Sequence, residues 1–512
     1  MKVMCLGDNS SHHAWAHRLT ETLAQNNNAT FRGMVPDRTS GLQDGYYHIG
    51  PLAMTPKEII ETAVNFDRVI LLDQDQDKFS NHRIFLSMFK LVNDMQTQGI
   101  HVEIMNQENM RYLYYWENLF EKNKSICVYP WLLLHDGYGD YTTLCGRSHD
   151  PVTKIDELKD WQTDKEYNKI REAMLRGERK TNCRSCHAYE DKGVRDQRWN
   201  YSFDWIAKLR LKNIDELTKI KRPVYYEIRP TNKCNAMCRM CNPDLSHLID
   251  KESKSIQNTE FKELAPKKTF ELGSSFDRVD IDKVERLYVA GGEPTVMTSV
   301  YAFMEKCVAE KRTNFTFNIN TNCVSIKPKF YNLCKEFSNL CISTSVDGVG
   351  KVNEYIRWNT IDAKQKENIH RFHAQGNKVH ITSVVSIYNV ATLGDTMEMF
   401  DREFAYVPIQ LQWAGFGGNI LDPYNHPNRA LVFENLKKAK KTKSYWHNES
   451  GTTNIINDLF DYYGDPSNEN TWDKERLRRF FVYNDTLDKH RGSRLADYIP
   501  ALEDCRKQLN LQ

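Results

Sequence analysis

The chain of 512 residues contains no apolar run approaching the roughly 18 residues that a membrane helix needs. Its opening, MKVMCLGDNSSHH, turns polar after six residues, which is too soon for the apolar stretch of a secretory signal. Charge of one sign is also missing. The 70 Lys and Arg are balanced by 68 Asp and Glu, so no whole-molecule field draws the chain to a long nucleic acid or an anionic membrane. Internal repeats and low-complexity stretches are absent. No GxGxxG is present, and LGDNSS (6–11) alone does not make a phosphate loop, so a dinucleotide site is unsupported. What is left is a globular chain long enough for two or three domains and expected in the cytoplasm.

Cysteine is plentiful and unevenly spread. Thirteen are present, and seven of them gather in two groups. A secreted disulfide scaffold would be far shorter than this chain, so the clustering points to metal in a reducing compartment. The remaining six, at 5, 307, 323, 334, 341 and 505, sit mostly in strand or helix patterns, as buried thiols acting as small hydrophobes would. Cys323 alone follows a strand end in a position to face a substrate. The histidines of SHHAWAH (11–17) fit helix spacing as well as metal binding and are not proposed as a site.

The pattern divides the chain into four parts. Residues 1–105 alternate strand-like KVMCLG, DRVILLD and IHVEIM with helical HAWAHRLTETLAQ and NHRIFLSMFKLVNDMQ, which makes a small α/β domain of unassigned role. Residues 106–221 are irregular and cysteine-bearing, and end in a helical run through DWIAKLRLKNIDELTK. From 222 to 415 six apolar strands recur, at 224–229, 284–290, 315–320, 340–346, 379–388 and 409–414, with helical stretches between most of them. Such alternation predicts a parallel sheet with right-handed crossovers, a partial (β/α)6 TIM-like barrel whose chemistry gathers at the C-terminal strand ends. Residues 244–280 read as an insertion between the first two strands. Residues 416–512 are a charged helical extension without a motif.

Directly after the first barrel strand runs TNKCNAMCRMCNP (231–243), with Cys234, Cys238 and Cys241. A cubane iron–sulfur cluster normally takes one thiolate per iron, so three thiolates leave one iron open for a cofactor or substrate. The competing reading is a zinc site completed by a remote ligand.

Cys-x3-Cys-x2-Cys after the first strand resembles the signature of the radical SAM superfamily, and further stretches agree in order and place. AGGEP ends the second strand, with Gly291, Gly292 and Glu293 where the family binds the amino group of S-adenosylmethionine (SAM). NTN ends the third, with Asn320 and Asn322. STSVDG ends the fourth, with Ser345 and Asp347 at the ribose-contacting stretch. EYIR follows, with Arg357 where relatives contact the SAM carboxylate, a task suited to the planar guanidinium fork. Met240 stands where the family commonly has an aromatic residue, as an apolar adenine contact. The resemblance covers 222–415. It implies a 4Fe–4S cluster with an open iron, bound SAM, reductive cleavage of SAM to a 5′-deoxyadenosyl radical and abstraction of a substrate hydrogen. The implied partners are a flavodoxin- or ferredoxin-like one-electron donor and a peptide or protein substrate, with a nucleotide, sugar or other small molecule as the main rival. The alternative from another class is a metal-binding assembly protein without turnover. No catalytic side chain is named, because the cofactor would perform the hard step.

The second group is Cys127, Cys145, Cys183 and Cys186. Four thiolates suit either a structural zinc or a fully ligated cluster. The stretch CVYPW…C…C-x2-C resembles the SPASM/Twitch auxiliary-cluster modules that accompany radical SAM barrels, here ahead of the barrel. That resemblance implies a second, auxiliary 4Fe–4S cluster.

Overall fold

The computed structural model describes five short strands between residues 2 and 104, and beyond them residues 115–116, 118–148, 150–191, 197–404, 407–414, 420–444, 450–468 and 472–511. The chain forms two compact units, Met1–Leu132 with Asp160–Arg222, and Leu133–Lys159 with Pro223–Gln512.

In the first unit β1 (Lys2–Leu6), β2 (Phe31–Gly33), β3 (Gly45–Ile49), β4 (Arg68–Leu71) and β5 (Val102–Ile104) make a parallel sheet in the order β2-β3-β1-β4-β5. β2 and β3 are additional to the sequence expectation, and the two expected helices of this region lie outside the described residues. Elsewhere in the unit an aromatic core forms around Phe120, Trp199 and Phe203, with ring centroids 5.2 to 5.6 Å apart. The expected helical run through 204–219 is broken by Arg210, at φ 52°, into Gln197–Leu209 and Ile214–Thr218.

The second unit carries an eight-stranded sheet. β8 (Tyr225–Ile228), β9 (Arg286–Val289), β10 (Thr316–Thr321), β11 (Leu340–Ser345), β12 (Lys378–Val385) and β13 (Ile409–Trp413) pair in parallel and in sequence order, as a partial barrel requires. Between and beyond them lie α1 (His247–Ser255), α2 (Thr298–Ala309), α3 (Pro328–Lys335), α4 (Lys351–Ile356), α5 (Asp362–Ala374), α6 (Leu393–Glu403) and α7 (Lys474–Arg491). Local chemistry sets several ends. Pro328 starts α3, Asp473 caps α7 through the Arg476 N–H, and left-handed Gly492 closes it.

One feature departs from the sequence pattern. Residues 133–143, expected to be irregular, form a hairpin of β6 (Leu133–Tyr138) and β7 (Tyr141–Thr143), and β6 pairs in parallel with β8. The barrel sheet thus gains a seventh parallel strand ahead of its first.

The two faces of this sheet differ. Phe317, Ile319, Ile342, Ile381 and Leu411 point to the helix side and are buried, with Phe303 of α2 edge-on to Phe317 at 6.1 Å. Each such aromatic or aliphatic burial contributes about 2 kcal/mol. On the opposite face the register aligns Glu227, Tyr288 and Asn318, then Asn320, Ser343 and His380, then Ser345, Thr382 and Gln410, all half-buried. Parallel sheets normally carry apolar residues on both faces. Here the inner face is polar and its residues are only half-buried.

Candidate functional site

The loop bearing Cys234, Cys238 and Cys241 leaves β8 at its C-terminal end, above the polar lumen. Two neighbours hold its backbone. On one side Gly292 N–H donates to Thr231 O at 3.0 Å and Glu293 N–H to Lys233 O at 2.7 Å. On the other, Met237 N–H donates to Trp358 O at 2.9 Å and Arg239 N–H to Ile356 O at 2.7 Å. Asn235 is clamped by Asn322 Nδ2 at 2.6 Å and Asn359 Nδ2 at 2.8 Å.

The three thiols come together. Burial and their mutual negative charge push Cys241 up to about 12, and the same two causes raise Cys234 well above the usual thiol range. Burial also raises Cys238, against the pull of Arg357, whose Nη1 lies 3.9 Å from its sulfur. Three converging soft donors beside a guanidinium suit a thiolate-ligated cluster, since metal would replace the protons that burial now retains. Among the described residues, no three or more His, Cys, Asp or Glu are drawn close enough to hold a single metal ion.

The glycines of AGGEP also admit a close approach of the chain to itself. A Cβ on Gly292 would sit 2.2 Å from Lys233 O, and one on Gly291, at φ 111°, would sit 2.8 Å from Thr231 O. Their smallness admits the cysteine loop's own backbone. Gly292→Ala is expected to cost about 3 kcal/mol, because a backbone carbonyl cannot swing aside as a side chain can. A urea unfolding midpoint unchanged from wild type would contradict that reading.

Glu293 is buried, and its carboxylate is fully engaged. Oε1 accepts from Thr295 N–H at 3.1 Å, Thr295 Oγ1 at 2.6 Å and Thr321 Oγ1 at 2.6 Å, and Oε2 accepts from Asn322 N–H at 2.6 Å. It ties the ends of β9 and β10 together. Asn322 is likewise committed to Asn235 and to Val324 N–H, at 3.1 Å. Asn320 and Ser345 are half-buried on the lumen face. Asp347 is buried. Its Oδ1 accepts from Val384 N–H at 2.7 Å, and its Oδ2 lies 2.6 Å from Arg357 Nε, which aims the arginine toward Cys238. Met240 is half-buried and packs against the apolar cluster that includes Tyr355 and Tyr388. Cys323 does not face the lumen: it is fully buried in a left-handed turn at φ 58°.

Several supports had no sequence signal. Gln365 of α5 donates to Asn322 O at 2.6 Å and Ser345 O at 2.8 Å, bracing two strand ends at once. Asn353 of α4 accepts from Asp347 N–H at 2.9 Å and donates to Gln365 Oε1 at 2.9 Å. Their spacing, 6 to 43 residues from what they hold, matches no local pattern. On the lumen face His135 of β6 sits 2.9 Å from Glu227 Oε2, and Tyr225 OH donates to Glu227 Oε1 at 2.7 Å. Burial works against the Glu227 charge, yet His135 and Arg229 outweigh it and hold the carboxyl at about 2. A carboxylate held below its unfolded value of 4.5 adds stability that is complete above that pH and is lost as pH falls toward 2. Glu227→Gln should therefore flatten the acid limb of the stability curve between those limits by about one proton. An unchanged limb in acid titration would refute the assignment. Farther down the lumen His380 is pushed down to about 4 by burial, so it is neutral near pH 7.

Of the second cysteine group, Cys127, Cys183 and Cys186 belong to the first unit and Cys145 to the second. Arg198 links two of them. Its guanidinium donates to Ile126 O, beside Cys127, and forms a buried 2.8 Å pair with Glu190 on the helix Arg184–Glu190 that carries Cys186. Burial raises the Cys127 thiol, with Ser202 Oγ 3.8 Å from its sulfur. His187, next to Cys186, is buried with neither ring nitrogen hydrogen-bonded. No helix among the described residues is long and apolar enough to cross a membrane.

Residues 228–402 match the family model described as the Radical SAM superfamily. Among curated proteins none matches the chain. A crystal structure of Streptococcus suis SuiB is similar at 15% identity over 45% of this chain and 51% of that one, with a TM-score of 0.29. SuiB bound to its precursor peptide SuiA gives 14% identity over 54% and 59%, with a TM-score of 0.29. Native anSMEcpe with bound AdoMet gives 15% over 42% and 61%, with a TM-score of 0.32. The chain thus matches about half to three-fifths of the length of these structures.

Proposed function

Because residues 228–402 form a radical SAM domain, we propose that the chain is a radical SAM enzyme acting on a peptide or protein. The observation that carries the reading is that the thiols of Cys234, Cys238 and Cys241, on one loop at the C-terminal end of β8, are buried near enough to raise one another, above the polar face of the sheet. A 4Fe–4S cluster with SAM, when bound there, supplies reductive SAM cleavage and abstraction of a substrate hydrogen.

The chain's own part is to hold and aim. Cys234, Cys238 and Cys241 hold the cluster, and Arg357, fixed by Asp347, offers its fork to the SAM carboxylate. The backbone at Gly291 and Gly292 receives the amino group, Ser345 and Asn320 meet the ribose, and Met240 meets the adenine. Carboxamides and hydroxyls on the inner face (Asn318, Asn320, Ser343, Thr382 and Gln410) match the donors and acceptors of a peptide backbone. Cys127, Cys145, Cys183 and Cys186 hold a second cluster in a SPASM/Twitch-like module, and a flavodoxin- or ferredoxin-like protein supplies the electron.

Anaerobic reconstitution followed by incubation with SAM and dithionite tests the reading. About eight irons per chain and release of 5′-deoxyadenosine are expected. Full iron loading without SAM cleavage would instead make the chain a metal-binding assembly protein. Deuterium transfer to 5′-deoxyadenosine from a small metabolite, and from no peptide, would move the substrate to the rival class.

A further inference from the structure

Between Cys238 and Cys241 lies a charged side chain that the proposed reaction does not use. Arg239 is wholly buried. Its Nε donates to Tyr355 O at 3.0 Å, Nη1 to Asn484 Oδ1 at 3.2 Å, and Nη2 to Asp488 Oδ1 and to Ser493 Oγ at 3.2 Å. The guanidinium carbon sits 3.6 Å from the Tyr355 ring centroid, and that tyrosine's hydroxyl donates to Asp488 Oδ2 at 3.0 Å. The Arg239 backbone is gripped as well, its carbonyl accepting from Tyr483 OH at 3.3 Å. Tyr483, Asn484 and Asp488 all lie on α7, and a second buried ion pair, Arg491–Glu252 at 2.6 Å, joins α7 to α1 just after the loop.

Four of the five guanidinium donors are spent inside the protein, in a wholly buried setting that keeps the group from a ligand. A buried ion pair is also a weak source of stability compared with apolar packing of the same volume. What the planar fork does well is fix direction, here that of the two residues separating two cysteines.

We infer that α7, which lies outside the matched residues 228–402, is a working part of the cofactor site. Asp488 and Asn484 hold Arg239 as a positioning residue, and Arg239 sets the backbone from which Cys238 and Cys241 project. The inference rests on the reading of those cysteines as cluster ligands.

Two measurements on the full chain test it, with Asp488→Asn and the milder Tyr483→Phe. In the apoprotein the iodoacetamide alkylation rates of Cys238 and Cys241 are followed, with buried Cys307 as internal reference. Asp488→Asn should speed both loop thiols about tenfold and Tyr483→Phe about threefold, with Cys307 unmoved, because only the local opening changes. In the reconstituted protein, Asp488→Asn should shift the electron paramagnetic resonance of the reduced cluster and raise the KM for SAM about tenfold more than it lowers kcat, while Asp488→Glu restores part of both. Variants that fold, alkylate and resonate like wild type overturn the inference. Should Asp488→Asn fail to fold, Tyr483→Phe decides alone, since it deletes a single hydroxyl. If the loop thiols respond while the wild type neither loads iron nor cleaves SAM, α7 still positions the loop and the cluster reading falls.

Discussion

Cys238→Ala is expected to abolish SAM cleavage, with 5′-deoxyadenosine falling at least about a thousandfold, because a cubane short of a thiolate is either not retained or no longer tuned for the electron transfer. The sulfur has little to do with the fold. Its described contact is Arg357 Nη1 at 3.9 Å, and Arg357 keeps its 2.6 Å pair with Asp347 when the thiol is gone. Thermal unfolding of the apoprotein should therefore move little. Cys307→Ala reverses the pattern: it opens a small cavity in the core of α2 and costs about 1 kcal/mol, yet leaves iron loading and turnover intact. Chromatographic assay of 5′-deoxyadenosine in both variants separates the roles, and a Cys238→Ala protein that still cleaves SAM would refute the ligand assignment.

The second large effect belongs to Cys186. Cys186→Ala should lower the iron content from about eight to about four per chain while SAM cleavage persists, now uncoupled from product. That split follows from ligand identity: Cys186 lies on the helix Arg184–Glu190, outside the loop that carries Cys234, Cys238 and Cys241. Arg198 should reproduce part of the effect without touching a ligand. Replaced by Ala, it releases both Ile126 O, beside Cys127, and Glu190, and leaves that carboxylate buried and unpaired. Elemental analysis decides between metals. Iron near four in the wild type, with one equivalent of zinc, would assign the second group to a structural ion and leave the trio's role untouched.

Much of the barrel was legible because its signals are local. The six expected strands fall within three residues of the observed ends, since apolar runs bounded by turn residues mark buried parallel strands. The cysteine loop and AGGEP were legible for the same reason, as short spacings at strand ends. What the pattern hid is what depends on distant partners. Nothing in LLLHDGYGDYTT shows that β6 will pair with β8, some 90 residues on. The hydrogen bonds of Glu293 to Thr295, Thr321 and Asn322 have no sequence signal. Neither does the close approach of Thr231 and Lys233 to Gly291 and Gly292. The burial of Arg239 depends on partners on α7, more than 240 residues away, and has no local signal.

The central claim is that three sulfurs leave one metal corner free, and that SAM occupies it. Electron–nuclear double resonance on the reduced, reconstituted protein, with SAM carrying nitrogen-15 at its amino group, measures that corner directly. A nitrogen coupling that vanishes when unlabelled methyl donors of other structure replace SAM is the predicted result. A reduced cluster with no such coupling, or a loop holding only a diamagnetic zinc ion, would contradict it.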